Sequence, residues 1–398
     1  MRILMMHNFY QSPGGGEDQS FRQEVALLRT HGHDVVEYTV SNDDVKPLGP
    51  ARTAWHLLRH AAWSAPQAER VGRLVRDVRP DIAHVQNFWF MLTPSVHHAC
   101  RTAGVPVVQH LRNYRLGCLN GNCLRRGAAC ELCIGRRPWR GILYRCYRLS
   151  VVSSWTVYRM VMLNRRRGTW RDDVDAFICL TRQSRERMIR IGLAPEKIHL
   201  RANFVHEPPP ADSRANDAAL FVGRISPEKG FDVLTAAWRS LPHPRPPLRV
   251  CGSSLEEFGQ AQREAFRRDG IEMLGHMPRE RVMRELQNCR FVVMPTVCFE
   301  NMPRVIVEAF AAGTPVIGSR IGAVAEMIED GRTGYLFEAG NARDLADRIA
   351  RALAQPDEVA RMGRQARLEF EAKYSPDRAH ESLLTIYTGV LASRARQV

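Results

Sequence analysis

The sequence lacks long apolar runs. No stretch approaches the roughly 18–20 consecutive apolar residues that cross a bilayer. The segment Met1–His7 has neither the apolar core nor the small-residue cleavage site of a signal peptide. The first glycine-rich loop also lacks the G-x-G-x-x-G pattern, which argues against NAD. These absences predict a cytoplasmic protein, soluble or peripheral at a membrane.

Acidic residues are in deficit. The 398 residues include 57 Lys and Arg against 42 Asp and Glu, a formal net charge of +15. This excess predicts an acidic partner: nucleic acid, an anionic membrane surface or a phosphorylated substrate. The length suits two domains. Ten cysteines in so long a chain do not form the pattern of a small secreted protein, so we expect mostly thiols.

Four cysteines lie in one loop, 118–133: Cys118, Cys123, Cys130 and Cys133. Four thiolates can bind Zn²⁺ tetrahedrally and fix a loop that has no core of its own. The last C-x2-C fits a metal knuckle, while the other spacings are looser. A structural zinc ion is therefore one hypothesis, and an iron–sulfur cluster or four free thiols are the alternatives.

The segment 136–170 is basic and aromatic, with arginine, tryptophan and tyrosine interleaved. Arg159 interrupts its apolar run Val151–Leu163, which excludes a membrane span. A basic amphipathic helix with interfacial aromatic residues suits an anionic membrane surface. Nucleic acid could use the same segment, or it could be a solvated face of its own domain. We favour the membrane because no recognisable nucleic-acid module accompanies the segment.

The amino-terminal half begins with a strand, a glycine-rich loop containing Gly15 and Gly16, and the helix Glu17–Thr30. Glycines let the backbone approach a ligand closely. Farther along, Pro106–His110 forms a predicted strand with His110 at its carboxyl end. Open α/β sheets bind ligands at the carboxyl ends of their strands. His110 and the glycine loop are therefore expected to face one cleft.

Three consecutive prolines, Pro208–Pro210, predict a linker, after which strand Ala218–Val222 starts a second domain. The glycine loop that follows carries Arg224 and Lys229. A guanidinium and an ammonium so placed could neutralise a pyrophosphate and stabilise it as a leaving group.

The stretch from Phe299 to Ile317 carries the strongest functional signal. A predicted strand, Phe291–Met294, precedes it, and a helix is predicted over Pro303–Ala312. The unpaired N–H groups and positive dipole at a helix N-terminus hold anions such as phosphates. Glu300 and Glu308 flank that terminus and can accept hydrogen bonds from hydroxyl groups. The combination predicts a nucleotide-sugar site.

These motifs resemble the retaining glycosyltransferases of family 4, most strongly from Ala218 to Leu353. The residues that carry the resemblance are Gly223–Gly230, Glu300-x7-Glu308, and the segments 313–317 and 329–336. The resemblance implies the α/β fold called GT-B, in which two Rossmann-like domains with parallel sheets face each other across a central cleft. The implied parts are an acceptor-binding domain 1–206, a linker 207–217, a nucleotide-sugar-binding domain 218–375 and a last helix 376–398 that crosses back.

The resemblance also implies roles for single residues. Arg224 and Lys229 would hold the donor pyrophosphate, Glu308 the ribose hydroxyls and Glu300 the transferred sugar. Gly15 and Gly16 would approach the donor phosphate from the other domain, and His110 would lie near the reacting sugar. The donor site would be completed by Asn301, Met302 and Pro303, which depart from the family's commoner Gly-Phe-Gly or Gly-Phe-Pro.

The predicted activity is retaining transfer from a UDP- or GDP-sugar, without an essential metal ion, to a saccharide or lipid-linked acceptor. We expect a role in surface or exopolysaccharide synthesis at the inner face of the cell membrane, with no nucleic-acid partner. Two alternatives stay open. One is another enzyme of the same plan, such as an epimerase or a glycogen-type synthase. The other is a zinc-dependent nucleic-acid-binding protein, which salt-dependent DNA binding retained after Glu308→Ala would support.

Overall fold

A computed structural model describes residues 1–10, 15–208 and 217–396 of the protein. Within them, fourteen strands occur in chain order: β1 (Arg2–Phe9), β2 (Asp34–Ser41), β3 (Ile82–Asn87), β4 (Val107–Leu111), β5 (Leu124–Arg125), β6 (Ala128–Ala129), β7 (Ala176–Cys179), β8 (Ile198–Leu200), β9 (Ala219–Val222), β10 (Leu248–Cys251), β11 (Ile271–Gly275), β12 (Phe291–Met294), β13 (Val316–Ser319) and β14 (Gly334–Phe337).

The α-helices of the described residues alternate with these strands for most of the chain. They are α1 (Gly16–Thr30), α2 (Gly49–His60), α3 (Ala65–Val78), α4 (Ser95–Thr102), α5 (Arg140–Leu143), α6 (Val151–Arg167), α7 (Thr169–Asp172), α8 (Arg182–Ile191), α9 (Phe231–Ser240), α10 (Gln260–Arg268), α11 (Arg279–Asn288), α12 (Arg304–Ala311), α13 (Gly322–Met327), α14 (Ala342–Ala354), α15 (Pro356–Lys373) and α16 (Pro376–Ala395).

The chain divides into two compact units. Unit 1 comprises Met1–Cys123, Glu131–Ala202 and Ala379–Val398, and unit 2 comprises Leu124–Cys130 and Asn203–Arg378. Each unit contains one sheet of six parallel strands, which confirms the predicted α/β class with two parallel sheets. Most of the predicted linker, residues 209–216, lies outside the described residues.

In unit 1 the strand order is β2-β1-β3-β4-β7-β8. The inner strands β3 and β4 are buried along their whole length because helices cover both faces of the sheet, and Ile3 to Met6 of β1 are fully buried. The order reverses between β1 and β3, where the chain leaves one side of β1 and continues on the other. Ligands of open α/β sheets bind at such a switch point, outside the carboxyl ends of the strands.

The last helix, α16, packs on unit 1. Its Leu383 and Tyr387 are buried in the same core cluster as Phe21 of α1. Near its end, the guanidinium of Arg394 donates to both carboxylate oxygens of Asp175, at 2.9 and 3.1 Å. These contacts hold the end of the chain against the sheet of unit 1.

In unit 2 the strand order is β11-β10-β9-β12-β13-β14, and the reversal lies between β9 and β12. Trp238 of α9 is fully buried in the core that fills one side of this sheet. The loops that leave the carboxyl ends of β9 and β12 are those of the two predicted donor motifs, so both motifs flank the switch point.

Candidate functional site

The loop after β9 is shaped by glycine. Gly230 has a φ of +66°, in the left-handed region, and a Cβ there would overlap the carbonyl oxygen of Pro295. Only glycine therefore lets this loop lie directly against the chain that leaves β12. Two further bonds join the loops, because the carbonyl of Glu228 accepts from the Val297 amide at 3.1 Å and the Thr296 hydroxyl at 2.9 Å.

Lys229 and Glu300 meet where these loops touch. Lys229 Nζ donates to Glu300 Oε1 at 2.6 Å, and the two side chains are 27% and 19% exposed. Burial disfavours the charged ammonium, but the Glu300 carboxylate outweighs burial and raises the pKa of Lys229. Arg224 is different: its side chain is 76% exposed, and its nearest carboxylate contact is 3.6 Å, to Glu228.

Glu308 lies on α12 and is mostly buried. Its Oε1 is 3.5 Å from a guanidinium nitrogen of Arg304 and 3.5 Å from one of Arg279. These arginines are the first residues of α12 and α11. Burial lowers the pKa of Arg304, and Arg279 adds to this effect, while Glu308 opposes it. The predicted ribose ligand therefore has two cationic neighbours that the sequence interpretation did not include.

Asn301, Met302 and Pro303 form the entry to α12. Asn301 and Met302 are buried, and Pro303 occupies the N-cap position. The Asn203 amide donates to the Met302 sulfur at 3.0 Å, and the Asn203 side chain donates to the Met302 carbonyl at 3.4 Å. These contacts fix the main chain between Glu300 and the helix.

In unit 1, Gly15 precedes α1, and Gly16 is its first residue. The φ of Gly15 is −122°, which any residue adopts, and nothing described lies within 4 Å of an added Cβ. The Gly15 amide donates to Asp18 at 3.2 Å, and Asp18 contacts the buried His7 at 2.8 Å. The rest of the predicted loop, residues 11–14, lies outside the described residues.

His110 is the penultimate residue of β4, and its side chain is buried rather than open to a cleft. Burial, with Arg112 nearby, lowers the pKa of His110 well below its usual value. Its ring stacks on that of His84 with centroids 5.7 Å apart, and burial lowers the pKa of His84 to about 4. Both imidazoles are therefore neutral near pH 7.

A buried ion cluster adjoins these histidines. The Glu24 carboxylate contacts Arg201 at 3.1 Å and Arg112 at 3.3 Å. Glu24, His84 and His110 place ligand atoms within 4.8 Å of one another, the spacing of a possible metal site. A cation is disfavoured there, because two guanidinium groups already bond to the only carboxylate of the three. The cluster therefore joins α1 to the chain after β4 and β8 as an ion network.

Three of the four cysteines of the loop 118–133, Cys118, Cys123 and Cys133, belong to unit 1, and Cys130 belongs to unit 2. Zinc–thiolate geometry places sulfur atoms about 3.8 Å apart. In the described residues, Glu24, His84 and His110 are the only three potential ligands that all lie within 4.8 Å of one another, so Cys118, Cys123 and Cys133 do not all lie that close together. A hydrogen bond from Cys123 instead lowers the pKa of Cys118 to about 7, although burial opposes it. The zinc hypothesis for the four cysteines stays a prediction.

The segment 136–170 presents exposed apolar side chains between arginines. Leu149 is 86% exposed, and it is joined by a group of exposed neighbours: Trp139, Leu143, Tyr144, Val151, Val152 and Trp155. Arg136, Arg137, Arg145 and Arg148 are exposed as well. Tyr147 and Trp170, by contrast, are buried in unit 1. Across the described ranges, no helix is both long enough and apolar enough to cross a bilayer.

Two family models match the chain. The one described as "Glycosyltransferase Family 4" matches residues 14–207, and the one described as "Glycosyl transferases group 1" matches residues 211–369. The D-inositol 3-phosphate glycosyltransferase of Gordonia bronchialis is 31% identical over 194 residues, 45% of this chain and 42% of that protein. The α-maltose-1-phosphate synthase of Mycolicibacterium smegmatis is 28% identical over 288 residues, 64% of this chain and 70% of that protein.

Over their aligned parts, the chain spans about half the length of the first curated relatives it matches. Among solved structures, Anabaena HepE in complex with UDP aligns with a TM-score of 0.68 at 17% identity, covering 98% of this chain and 100% of that one. A sucrose-phosphate synthase from Thermosynechococcus elongatus aligns with a TM-score of 0.69 at 17% identity, covering 99% and 100%. With the two family matches in successive halves, the chain belongs to the GT-B glycosyltransferases of the group 1 and family 4 type.

Proposed function

We propose that this chain is a retaining glycosyltransferase that moves a sugar from a UDP- or GDP-sugar to a saccharide or lipid-linked acceptor in surface or exopolysaccharide synthesis. Unit 2 takes the donor, and the amino-terminal domain takes the acceptor. The observation that carries the proposal is the Lys229–Glu300 pair beside the switch point of unit 2. HepE has been solved with UDP and with UDP-glucose, which supports a nucleotide-sugar donor.

The Lys229–Glu300 pair is suited to exchange partners when a donor binds. The donor diphosphate offers Lys229 a more highly charged partner than one carboxylate, and the sugar hydroxyls offer Glu300 hydrogen-bond donors. Arg224 loses little when it turns to the donor, since its side chain is mostly exposed and its only ion-pair contact in the described residues, with Glu228, is 3.6 Å long. Together the ammonium and the guanidinium stabilise negative charge as it develops on the departing diphosphate.

Glu308 accepts hydrogen bonds from the ribose hydroxyls, and Arg279 and Arg304 hold its carboxylate in place. Asn301, Met302 and Pro303 line the donor through the main chain that Asn203 fixes. Gly15 and Gly16 leave room for the donor phosphate. His110 lies near the transferred sugar in this proposal, but its buried, uncharged ring does not contact the sugar.

The proposed transfer needs no metal ion. The acceptor hydroxyl attacks on the face from which the nucleotide departs, a donor phosphate oxygen takes its proton, and the cations of the loop after β9 take the place of a metal. An assay of the full chain with UDP- and GDP-sugars tests this by the anomeric configuration of the product, read from NMR couplings. An α-configured donor should give an α-linked product at an unchanged rate in EDTA. An inverted product, or loss of activity in EDTA that Mg²⁺ restores, would contradict the mechanism.

We also propose that the exposed apolar and basic side chains of segment 136–170 dock the protein on the inner face of the cell membrane. Apolar groups enter the interface, and the surrounding arginines attract anionic lipid headgroups. Binding to phosphatidylglycerol vesicles should weaken strongly in high salt.

A charge introduced into the apolar surface tests the docking directly. Leu149→Glu should reduce vesicle binding by about tenfold, since a carboxylate resists entry into the interface and repels anionic lipid. Leu368 offers a matched control because it is an exposed leucine, 56% accessible, in unit 2. Equal vesicle binding by Leu149→Glu and Leu368→Glu would refute the proposal that this segment docks on the membrane.

A further inference from the structure

A small cavity lies in unit 1 outside the carboxyl ends of β3 and β4. Its volume is about 20 Å³, and its lining includes Gln86, Asn87, His110, Arg112, Asn113 and Arg115. That volume holds about one water-sized group. The position adjoins the topological switch of the sheet, where open α/β folds bind ligands.

Arg115 is the unpaired cation of this cavity. Its guanidinium carbon lies 5.8 Å from the ring centroids of both Trp89 and Tyr147. The Trp89 indole donates to the Tyr147 hydroxyl at 3.0 Å, which fixes the two rings relative to each other. In the part of the chain that is described, Arg115 has no carboxylate within 4.0 Å and its buried Nε has no hydrogen-bond partner. A buried N–H without a partner costs free energy that a ligand could recover.

The other polar groups favour an anion. Arg112 donates to Gln86 at 2.9 Å and forms an ion pair with Glu24. The same carboxylate also pairs with Arg201. A second carboxylate, that of Glu17, accepts a hydrogen bond from the side-chain amide of Asn113 at 3.3 Å. In this region, the three guanidinium groups of Arg112, Arg115 and Arg201 outnumber the two carboxylates of Glu17 and Glu24.

His110 adds a neutral ring. Both of its nitrogens are buried without a partner among the described residues, so it can donate one N–H into the cavity.

We propose that this cavity receives a phosphoryl group of the acceptor. One phosphoryl oxygen enters the cavity beside His110, and the others bind at its mouth to Arg115, whose planar fork suits bidentate contact with phosphate. The aromatic rings hold the guanidinium in place before the ligand arrives. This inference rests on the proposed function, since it treats unit 1 as the acceptor side, and it concerns a group other than the donor diphosphate.

The test uses the full chain saturated with the nucleotide that stabilises it, and methyl phosphate as the probe, followed by titration calorimetry. We expect Arg115→Gln to weaken methyl phosphate binding by about tenfold or more, the loss of a charge-assisted contact. Arg115→Lys should retain part of the affinity. Arg76, an exposed arginine of α3, provides the control Arg76→Gln, which should bind the probe as the unmodified protein does.

Two further arms separate the sources of the phosphoryl group and the possible failures. Tighter binding of farnesyl diphosphate than of glucose 1-phosphate would point to a lipid-linked acceptor, and the reverse order to a soluble one. Unchanged methyl phosphate binding in a folded Arg115→Gln variant would overturn the inference, as would the absence of binding to a protein that still binds nucleotide. Absence of nucleotide binding would instead count against the proposed function.

Discussion

Replacement of Lys229 by methionine removes the ammonium from the contact between the two donor loops while keeping the length of the side chain. In the free protein the pair is partly exposed, so its loss should lower the free energy of unfolding by only about 1 kcal/mol. In the transition state the same ammonium faces the departing diphosphate. A charge-assisted contact of about 1.5–3 kcal/mol corresponds to a fall in kcat/KM of roughly ten- to a hundredfold.

The double variant Lys229→Met/Glu300→Gln distinguishes the two effects. Because the residues are in contact, their stability changes should not add, with a coupling of about 0.5–1 kcal/mol. Activity should remain low in the double variant, since each residue also has a ligand to bind. Arg343→Ala, an exposed change on α14 of the same unit, is the control. Wild-type kcat/KM in a folded Lys229→Met protein would refute the assignment of Lys229 to the diphosphate.

Three further predictions concern stability. Glu24→Gln leaves Arg112 and Arg201 without their shared buried carboxylate and should lower the free energy of unfolding by about 3–5 kcal/mol, seen as a fall in Tm of roughly 10 °C. The control Glu280→Gln, on the surface of α11, should leave Tm unchanged, and an unchanged Tm in Glu24→Gln would contradict the ion network. Gly230→Ala should destabilise clearly more than Gly331→Ala, because both have a left-handed φ but only Gly230 also lies against Pro295; equal losses in chemical denaturation would show that the overlap relaxes. The pKa of His84 falls to about 4 in the folded protein, so the unfolded protein binds more protons than the folded one between pH 6.5 and 4. The free energy of unfolding should therefore be highest above pH 6.5 and fall by about 3 kcal/mol toward pH 4. The same pH dependence of stability in His84→Gln would refute the assignment to His84.

The buried strands could be predicted well because parallel strands are apolar on both faces. Phe291–Met294 and the helix Phe231–Ser240 have the predicted bounds. The helix predicted over Pro303–Ala312 extends over Arg304–Ala311, with Pro303 in the N-cap position. By contrast, β8 has only three residues, which is too short a stretch for an alternating pattern to predict a strand.

Side-chain partners were harder to predict. Arg304 stands four residues before Glu308, a helical spacing that could have revealed their contact. Arg279 belongs to another helix, and only the packing of α11 beside α12 brings it to Glu308. His110 was expected to face a cleft because it lies at the carboxyl end of the predicted strand Pro106–His110. The strand continues one residue farther, however, and the side chain of His110 is buried, in the lining of the small cavity outside β3 and β4.

The cysteine spacing was similarly ambiguous. It is compatible with a metal knuckle, but the loop conformation around the hairpin of β5 and β6 decides whether the sulfur atoms meet. In this structure the Cys118 thiol bonds to Asn120 at 3.1 Å and to its neighbour Cys123. A spacing motif fixes which residues could bind a metal, while the chain between them determines the geometry.

A thermal-shift titration of the full chain with UDP, GDP, ADP and their sugars, in the absence of metal, tests the central claim most directly. A ligand that binds only the folded state must raise Tm. Our account predicts a clear rise with UDP or GDP and their sugars, which Glu308→Ala abolishes and Arg343→Ala leaves intact. No rise with any nucleotide, or a rise that persists in Glu308→Ala, would contradict a donor site at the switch point of unit 2.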